Sequence, residues 1–241
     1  MNIISKVKSL RTSIMVTFSS IISSNGNSKT EKNGFPKDFV IVTDIVPEVI
    51  LEMRYYSSYN FIGERINSYQ APVAILTKQA AEKLKLVSEY LNKKGYTIKI
   101  FDAYRPLSAV KHFQRWAKDT GNTKMKNYFY PDVDKKDLFD LGYISEKSSH
   151  SRGSTLDITL VDMKSGKEID AGSPFDFFGN ISHHDTNLIT NQQEKNRLIL
   201  KHAMEKFGFN SYYAEWWHYT LKNEPYPDKY FDFPIKQYTS K

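Results

Sequence analysis

Three short segments of the sequence hold its main candidates for chemistry. They are Ser148-Ser149-His150-Ser151-Arg152-Gly153-Ser154-Thr155-Leu156-Asp157, Glu215-Trp216-Trp217-His218 and Asp102-Ala103-Tyr104-Arg105-Pro106. Two imidazoles and one carboxylate, here His150, His218 and Asp157, are a frequent protein ligand set for catalytic zinc, with the fourth position left to water. Glu215 stands outside that set and is free to act as general base. Arg105 offers the positive charge that stabilises an oxyanion. Taken alone, His150 reads as a loop histidine with a satisfied hydrogen bond. Asp157 is harder to dismiss, because a carboxylate between apolar strand positions needs exposure or a partner. Glu215 and His218 flank two tryptophans, where burial without partners would be costly. A shared cation answers all of these demands at once.

The flanking sequence predicts the elements that position these groups. Phe39–Val42 and Ile50–Tyr56 read as strands. Thr77 to Lys94 reads as a helix, capped by Thr77, striped by Ala80, Leu84, Val87 and Leu91, and stopped by Gly95. Tyr96–Phe101 alternates and is rich in strand formers, so it delivers Asp102–Pro106 at its end. Leu107 to Lys118 reads as a second helix. Thr155 to Val161 is a strand with Leu156, Ile158 and Leu160 on one side and Thr155, Asp157 and Thr159 on the other. Thr190 to Phe207 is a helix with a Thr190/Gln193 capping box and an apolar face of Leu198, Ile199, Ala203 and Phe207. Trp217–Leu221 is the last strand, and the tail from Pro225 reads as loop. Without a regular βαβ rhythm or a glycine-rich phosphate loop, the expected class is α+β, a mainly antiparallel sheet with packed helices.

Composition narrows the function. The 241 residues are 40% hydrophobic and 14% aromatic, enough for one substantial core. There is no cysteine, which excludes disulfides, thiolate catalysis and Cys-type zinc sites. The net charge is +7, but lysines and arginines are scattered among acids, as in Asp134-Lys135-Lys136-Asp137, which argues against a nucleic-acid partner. No stretch approaches the ~20 apolar residues of a membrane span. Residues 1–26 run from basic (Lys6, Lys8, Arg11) to apolar (Ile14 to Ile22) to small (Ser24-Asn25-Gly26), the order of a secretory signal, with a disordered or amphipathic tail as the alternative. Export to the periplasm or medium is the expectation, against a cytoplasmic alternative. Residues 27–38 read as a linker and 39–241 as one catalytic domain. The oligomeric state is not readable. His183-His184-Asp185 ranks second as a metal group, because adjacent side chains point apart, and His112 and His202 sit inside helical stretches as structural or exposed residues.

With these motifs in view, the chain resembles the D-alanyl-D-alanine dipeptidases, a branch of the zinc D,D-peptidases that also includes D,D-carboxypeptidases. The family pattern Ser-x-His-x-x-Gly-x-Ala-x-Asp is matched by Ser148, His150, Gly153 and Asp157, with Thr155 in place of Ala, and Glu-x-x-His by Glu215 and His218. The likeness runs from about Val46 to Leu221 and takes in Met53-Arg54-Tyr55, Asn60-Phe61-x-Gly63 and Ser173-Pro174-Phe175-Asp176. It implies one zinc ion per chain held by His150, Asp157 and His218, with Glu215 as base and then acid and Arg105 opposite the metal. It implies that Asp176 binds the substrate's free ammonium and that Ser148 and Tyr55 line the pocket. The implied reaction is hydrolysis of a small D,D-dipeptide, D-alanyl-D-alanine, to D-alanine. The alternatives are a D,D-carboxypeptidase acting on peptidoglycan stem peptides and a non-catalytic, zinc-stabilised binding module.

Overall fold

Two strands rich in β-branched and aromatic residues form the centre of the molecule, and everything else is hung from them. The computed structural model describes residues 35–237. The leader expected at 1–26 lies outside the described residues, as does the linker up to residue 34. The strands are β1 (Phe39–Ile41), β2 (Ile50–Leu51), β3 (Ile75–Thr77), β4 (Tyr96–Asp102), β5 (Thr155–Asp162), β6 (Phe209–Tyr212) and β7 (Glu215–Leu221). The helices are α1 (Val42–Ile45), α2 (Lys78–Asn92), α3 (Leu107–Lys118), α4 (Lys126–Phe129) and α5 (Asn191–Lys206). Five strands make one sheet in the order β2-β4-β5-β7-β6, parallel only between β2 and β4, while β1 and β3 form a separate antiparallel pair. The expected α+β class with a mainly antiparallel sheet is what is found.

Both faces of β5 are buried, Leu156, Ile158 and Leu160 in the hydrophobic core and Thr155, Asp157 and Thr159 on the other side. Helix α2 buries Ala80, Ala81, Leu84, Val87 and Leu91 in the same core. Its cap is Thr77, whose hydroxyl accepts from Ala80 N (3.4 Å), and Gly95 follows in the left-handed region at φ +86°. The Thr190/Gln193 capping box of α5 is formed on both sides. Among the described residues no helix is long and apolar enough to cross a membrane.

Four expectations need correction. The strand expected over Phe39–Val42 ends at Ile41, because Val42 opens the short helix α1. The strand expected over Ile50–Tyr56 stops at Leu51, and Arg54–Tyr56 is a 3-10 turn. That turn packs the Arg54 guanidinium 5.0 Å from the Phe101 ring and buries Tyr55, which an extended chain at the sheet edge would leave outside. On α5 the buried residues are Arg197, Leu200, Ala203 and Met204, not Leu198, which is exposed. Arg197 is buried because it donates to three carbonyls, Ala171 (2.6 Å), His183 (2.7 Å) and Ile181 (2.7 Å), tying the 171–183 loop to the helix. The tail after Pro225 lacks regular structure, as expected, but it is a strap: Phe231 and Ile235 are buried, and the Phe233 ring stacks on Tyr104 at 4.1 Å. Phe35, within the stretch read as linker, is also buried in the core.

Gly153 closes the turn Ser149–Arg152 at φ +85°, and a Cβ there would lie 2.3 Å from the Phe39 ring. Gly153→Ala is therefore expected to lower stability by about 3 kcal/mol, from backbone strain and overpacking together. Urea unfolding of the metal-free protein measures this, and an unchanged midpoint would contradict the account.

Candidate metal centre and active site

The site is a rung across three strands. Asp157 on β5 pairs with His218 on β7, and Asp102 on β4 pairs with Asp157 from the other side. Directly opposed residues on antiparallel strands have their Cβ atoms about 4.5–5.5 Å apart, so pairing alone brings these side chains together. Two irregularities in the sheet make the rung possible. Between Ile100↔Ile158 and Asp102↔Asp157, β4 carries one extra residue, Phe101. Without that bulge Asp102 would point to the opposite face from Asp157. Between Ser211↔Tyr219 and Tyr212↔Glu215, β7 advances four residues against one on β6. In a regular strand residues three apart face opposite ways. The distortion instead sets Glu215 Oε2 3.3 Å from His218 Nδ1.

His150 comes from the 3-10 turn Ser149–Arg152, whose start is capped by Ser148 Oγ accepting from His150 N (3.3 Å). His150 Nδ1–H donates to the Ala103 carbonyl (2.7 Å), which leaves Nε2 as the free lone pair. That Nε2 lies 3.2 Å from His218 Nδ1 and 3.3 Å from Asp157 Oδ2, and His218 Nδ1 lies 3.1 Å from Asp157 Oδ1. The ligand atoms of His150, Asp157 and His218 all fall within 4.8 Å of one another. Their chemistry, two imidazole nitrogens and a buried carboxylate oxygen, fits a divalent cation. Burial alone would raise the Asp157 pKa, but the His150 and His218 rings beside it hold the carboxyl well below the usual range.

Arg105 lies across the rung. Its Nε–H donates to Asp102 Oδ2 (2.9 Å), which directs Nη2 towards Asp157 Oδ2 (3.4 Å) and Nη1 towards Ser148 Oγ (3.5 Å). The guanidinium also sits over the rings of Tyr55 (5.0 Å) and Phe113 (5.2 Å). Asp102 is wholly buried and takes a second bond from the Tyr69 hydroxyl (2.6 Å). Asp102 belongs to the Asp102–Pro106 motif, whose sequence assigns chemistry to Arg105 alone. Its residue type beside Arg105 was the only available signal.

Asp176 is buried with φ +63°, a left-handed backbone that an Asp tolerates better than most residues. Its Oδ1 accepts from the Tyr55 hydroxyl (3.2 Å), and its Oδ2 has no hydrogen-bond partner. Burial first, then the nearby Asp157 charge, push its pKa well up. The loop that carries it is anchored to β7, because Trp216 Nε1 donates to Ser173 Oγ (3.0 Å) and Phe175 meets Trp217 edge-on at 5.5 Å.

A cavity of about 450 Å³ collects Tyr55, Arg105, Ser148, His150, Asp157, Asp176, Glu215 and His218, so all eight expected site residues share one space. That volume suits a small molecule. Thr155, the departure from the family pattern, shares a hydroxyl hydrogen bond (2.9 Å) with Thr220, its partner two rungs from Asp157 and His218 and on the same face of the sheet. His183-His184-Asp185 does not form a comparable group. The His184 ring is held neutral, its pKa lowered to about 4 by burial and by the Lys201 and Arg197 charges.

Residues 36–236 match the family model described as D-ala-D-ala dipeptidase, of the M15 peptidases. The chain is 39% identical over 198 residues to a D-alanyl-D-alanine dipeptidase of Enterococcus faecium, covering 82% of this chain and 98% of that protein. It is 39% identical to one of Enterococcus faecalis, over 82% of this chain and 98% of the relative. A dipeptidase of the same name from Streptomyces coelicolor is 37% identical, again over 82% and 98%.

The two carboxylates beside His218 have a measurable consequence. Burial disfavours its cation, but hydrogen bonds from the ring to Asp157 and Glu215 push its pKa up to about 9 in the metal-free chain. The ring is thus protonated at neutral pH, and an ion binding at Nδ1 displaces that proton. Metal affinity should rise roughly tenfold per pH unit up to about pH 9 and level off above it. Calorimetry at pH 7 in buffers of different ionisation enthalpy is expected to show about one proton released per ion bound, whereas no release would refute the assignment.

Proposed function

The chain belongs to the D-ala-D-ala dipeptidase family, and on that premise we propose that it hydrolyses free D-alanyl-D-alanine to two molecules of D-alanine at a zinc centre. The observation that carries the proposal is the meeting, in one cavity, of a three-ligand cluster, a carboxylate outside it and a half-buried arginine. His150 Nε2, Asp157 and His218 Nδ1 would hold the ion, which when bound polarises the scissile carbonyl and lowers the pKa of a water to about 7.

The chain's own residues account for the remaining steps. Glu215 takes a proton from the attacking water as the new C–O bond forms. Negative charge then builds on the carbonyl oxygen, and the Arg105 guanidinium, pinned through Nε by Asp102, presents its Nη groups to that charge. Removing one such preorganised contact typically costs ~3–4 kcal/mol of barrier. Glu215 returns its proton to the departing nitrogen as the C–N bond breaks, releasing D-alanine with a free amino group. A buried carboxylate with an idle oxygen is a poor neighbour for neutral atoms. Asp176 offsets its desolvation only when an ammonium group supplies the opposite charge. We therefore assign Asp176, helped by the Tyr55 hydroxyl, to the free amino terminus of the dipeptide.

Purified protein should cleave D-alanyl-D-alanine and lose activity to a chelator. Glu215→Gln should keep its metal and lose about 10²–10⁴-fold in kcat, and wild-type turnover in that variant would exclude Glu215 as the base. N-acetyl-D-alanyl-D-alanine lacks the ammonium and should be cleaved far more slowly than the free dipeptide. Asp176→Asn should narrow that gap by raising KM for the free dipeptide. Faster cleavage of the acetylated compound would overturn the assignment of Asp176 and favour a carboxypeptidase.

A further inference from the structure

The two imidazoles of the cluster are oriented by different means. His150 is fixed by a main-chain group, the Ala103 carbonyl at 2.7 Å, which no side-chain substitution removes. On His218, Nδ1 faces the cluster and Nε2 faces outward, 3.3 Å from the hydroxyl of Ser149. A ring whose Nδ1 lone pair serves a cation must carry its proton on Nε2, and that N–H needs an acceptor. The nearest acceptor in the structure is Ser149 Oγ.

We infer that Ser149 is a positioning residue, whose hydroxyl accepts the Nε2–H of His218 and thereby sets the ring's tautomer and tilt for metal binding. The inference rests on the metal reading above. Ser149 occupies the unspecified position between Ser148 and His150 of the Ser-x-His motif, so the motif itself assigns it nothing. Its place in the backbone gives it a further effect. The turn Ser149–Arg152 carries one ligand, His150, and the hydrogen-bond acceptor for the other, His218. That turn is clamped by Arg105 N on the His150 carbonyl (3.3 Å) and by Phe231 N on the Ser151 carbonyl (2.8 Å). One clamped segment therefore carries one ring and holds the outward nitrogen of the other.

Zinc affinity, measured by competition with a chromogenic chelator, tests this on the full chain. Ser149→Ala should bind zinc about tenfold more weakly, in the range seen for outer hydrogen-bond partners of metal-bound histidines. Ser149→Thr, which keeps the hydroxyl, should stay close to wild type. In the zinc-loaded protein the His218 Nε2–H resonance should exchange with water faster in Ser149→Ala than in wild type or Ser149→Thr. Should Ser149→Ala fold poorly, the near-isosteric pair Ser149→Thr and Ser149→Val separates the hydroxyl from the packing. Equal zinc affinity and equal N–H exchange with and without the hydroxyl would overturn the inference and leave the metal reading intact. A wild-type chain that takes up no zinc, or one whose uptake survives His218→Ala, would overturn both.

Discussion

A single buried negative charge organises this molecule. Asp157 is almost wholly enclosed, and an isolated carboxylate there would be too costly to keep ionised. It is tolerated because two imidazoles and a guanidinium converge on it, each within 3.4 Å. Those partners arrive from β7, from the turn after Ser148 and from the end of β4. The sheet, its bulges and the aromatic packing around them have to satisfy that convergence together.

The supports form a chain of hydrogen bonds in which few members are idle. Tyr69 holds Asp102, Asp102 holds Arg105, and Arg105 faces both Asp157 and Ser148. On the other side Trp216 and Trp217, the residues between Glu215 and His218, are the anchors of the loop bearing Asp176. The tryptophans therefore do more than fill space. They tie the strand that carries Glu215 and His218 to the loop that carries Asp176. Asp176 remains under-satisfied, with a left-handed backbone and an orphan oxygen, and such unresolved demands concentrate where a ligand completes them.

Much of this was legible in the chain. Helix stripes, the Thr77 and Thr190 caps and the alternation of β5 are local signals, and the polar residues among tryptophans and strand apolars announced their need for partners. The bulges were not legible, because a register shift is decided by pairing between distant strands and leaves no local mark. Hence Glu215 and His218 could be named, yet not placed on one face. Strands β3 and β6 are too short, at three and four residues, to carry a period. Arg197 hid inside a helical pattern because its burial depends on three carbonyls from another loop. Asp102 and Ser149 were in plain view, but their work is to orient other side chains, which composition and spacing do not reveal.

The strap through Phe231 and Ile235 has a consequence for biogenesis. Phe231 accepts from Leu107 N and donates to Ser151, while Ile235 bonds Ser68, Gln70 and Ala71, so residues late in the sequence hold segments from much earlier in it. During synthesis the cavity stays unfinished while His150 has already emerged. The turn that carries His150 is therefore clamped only after the strap around Phe231 has been made.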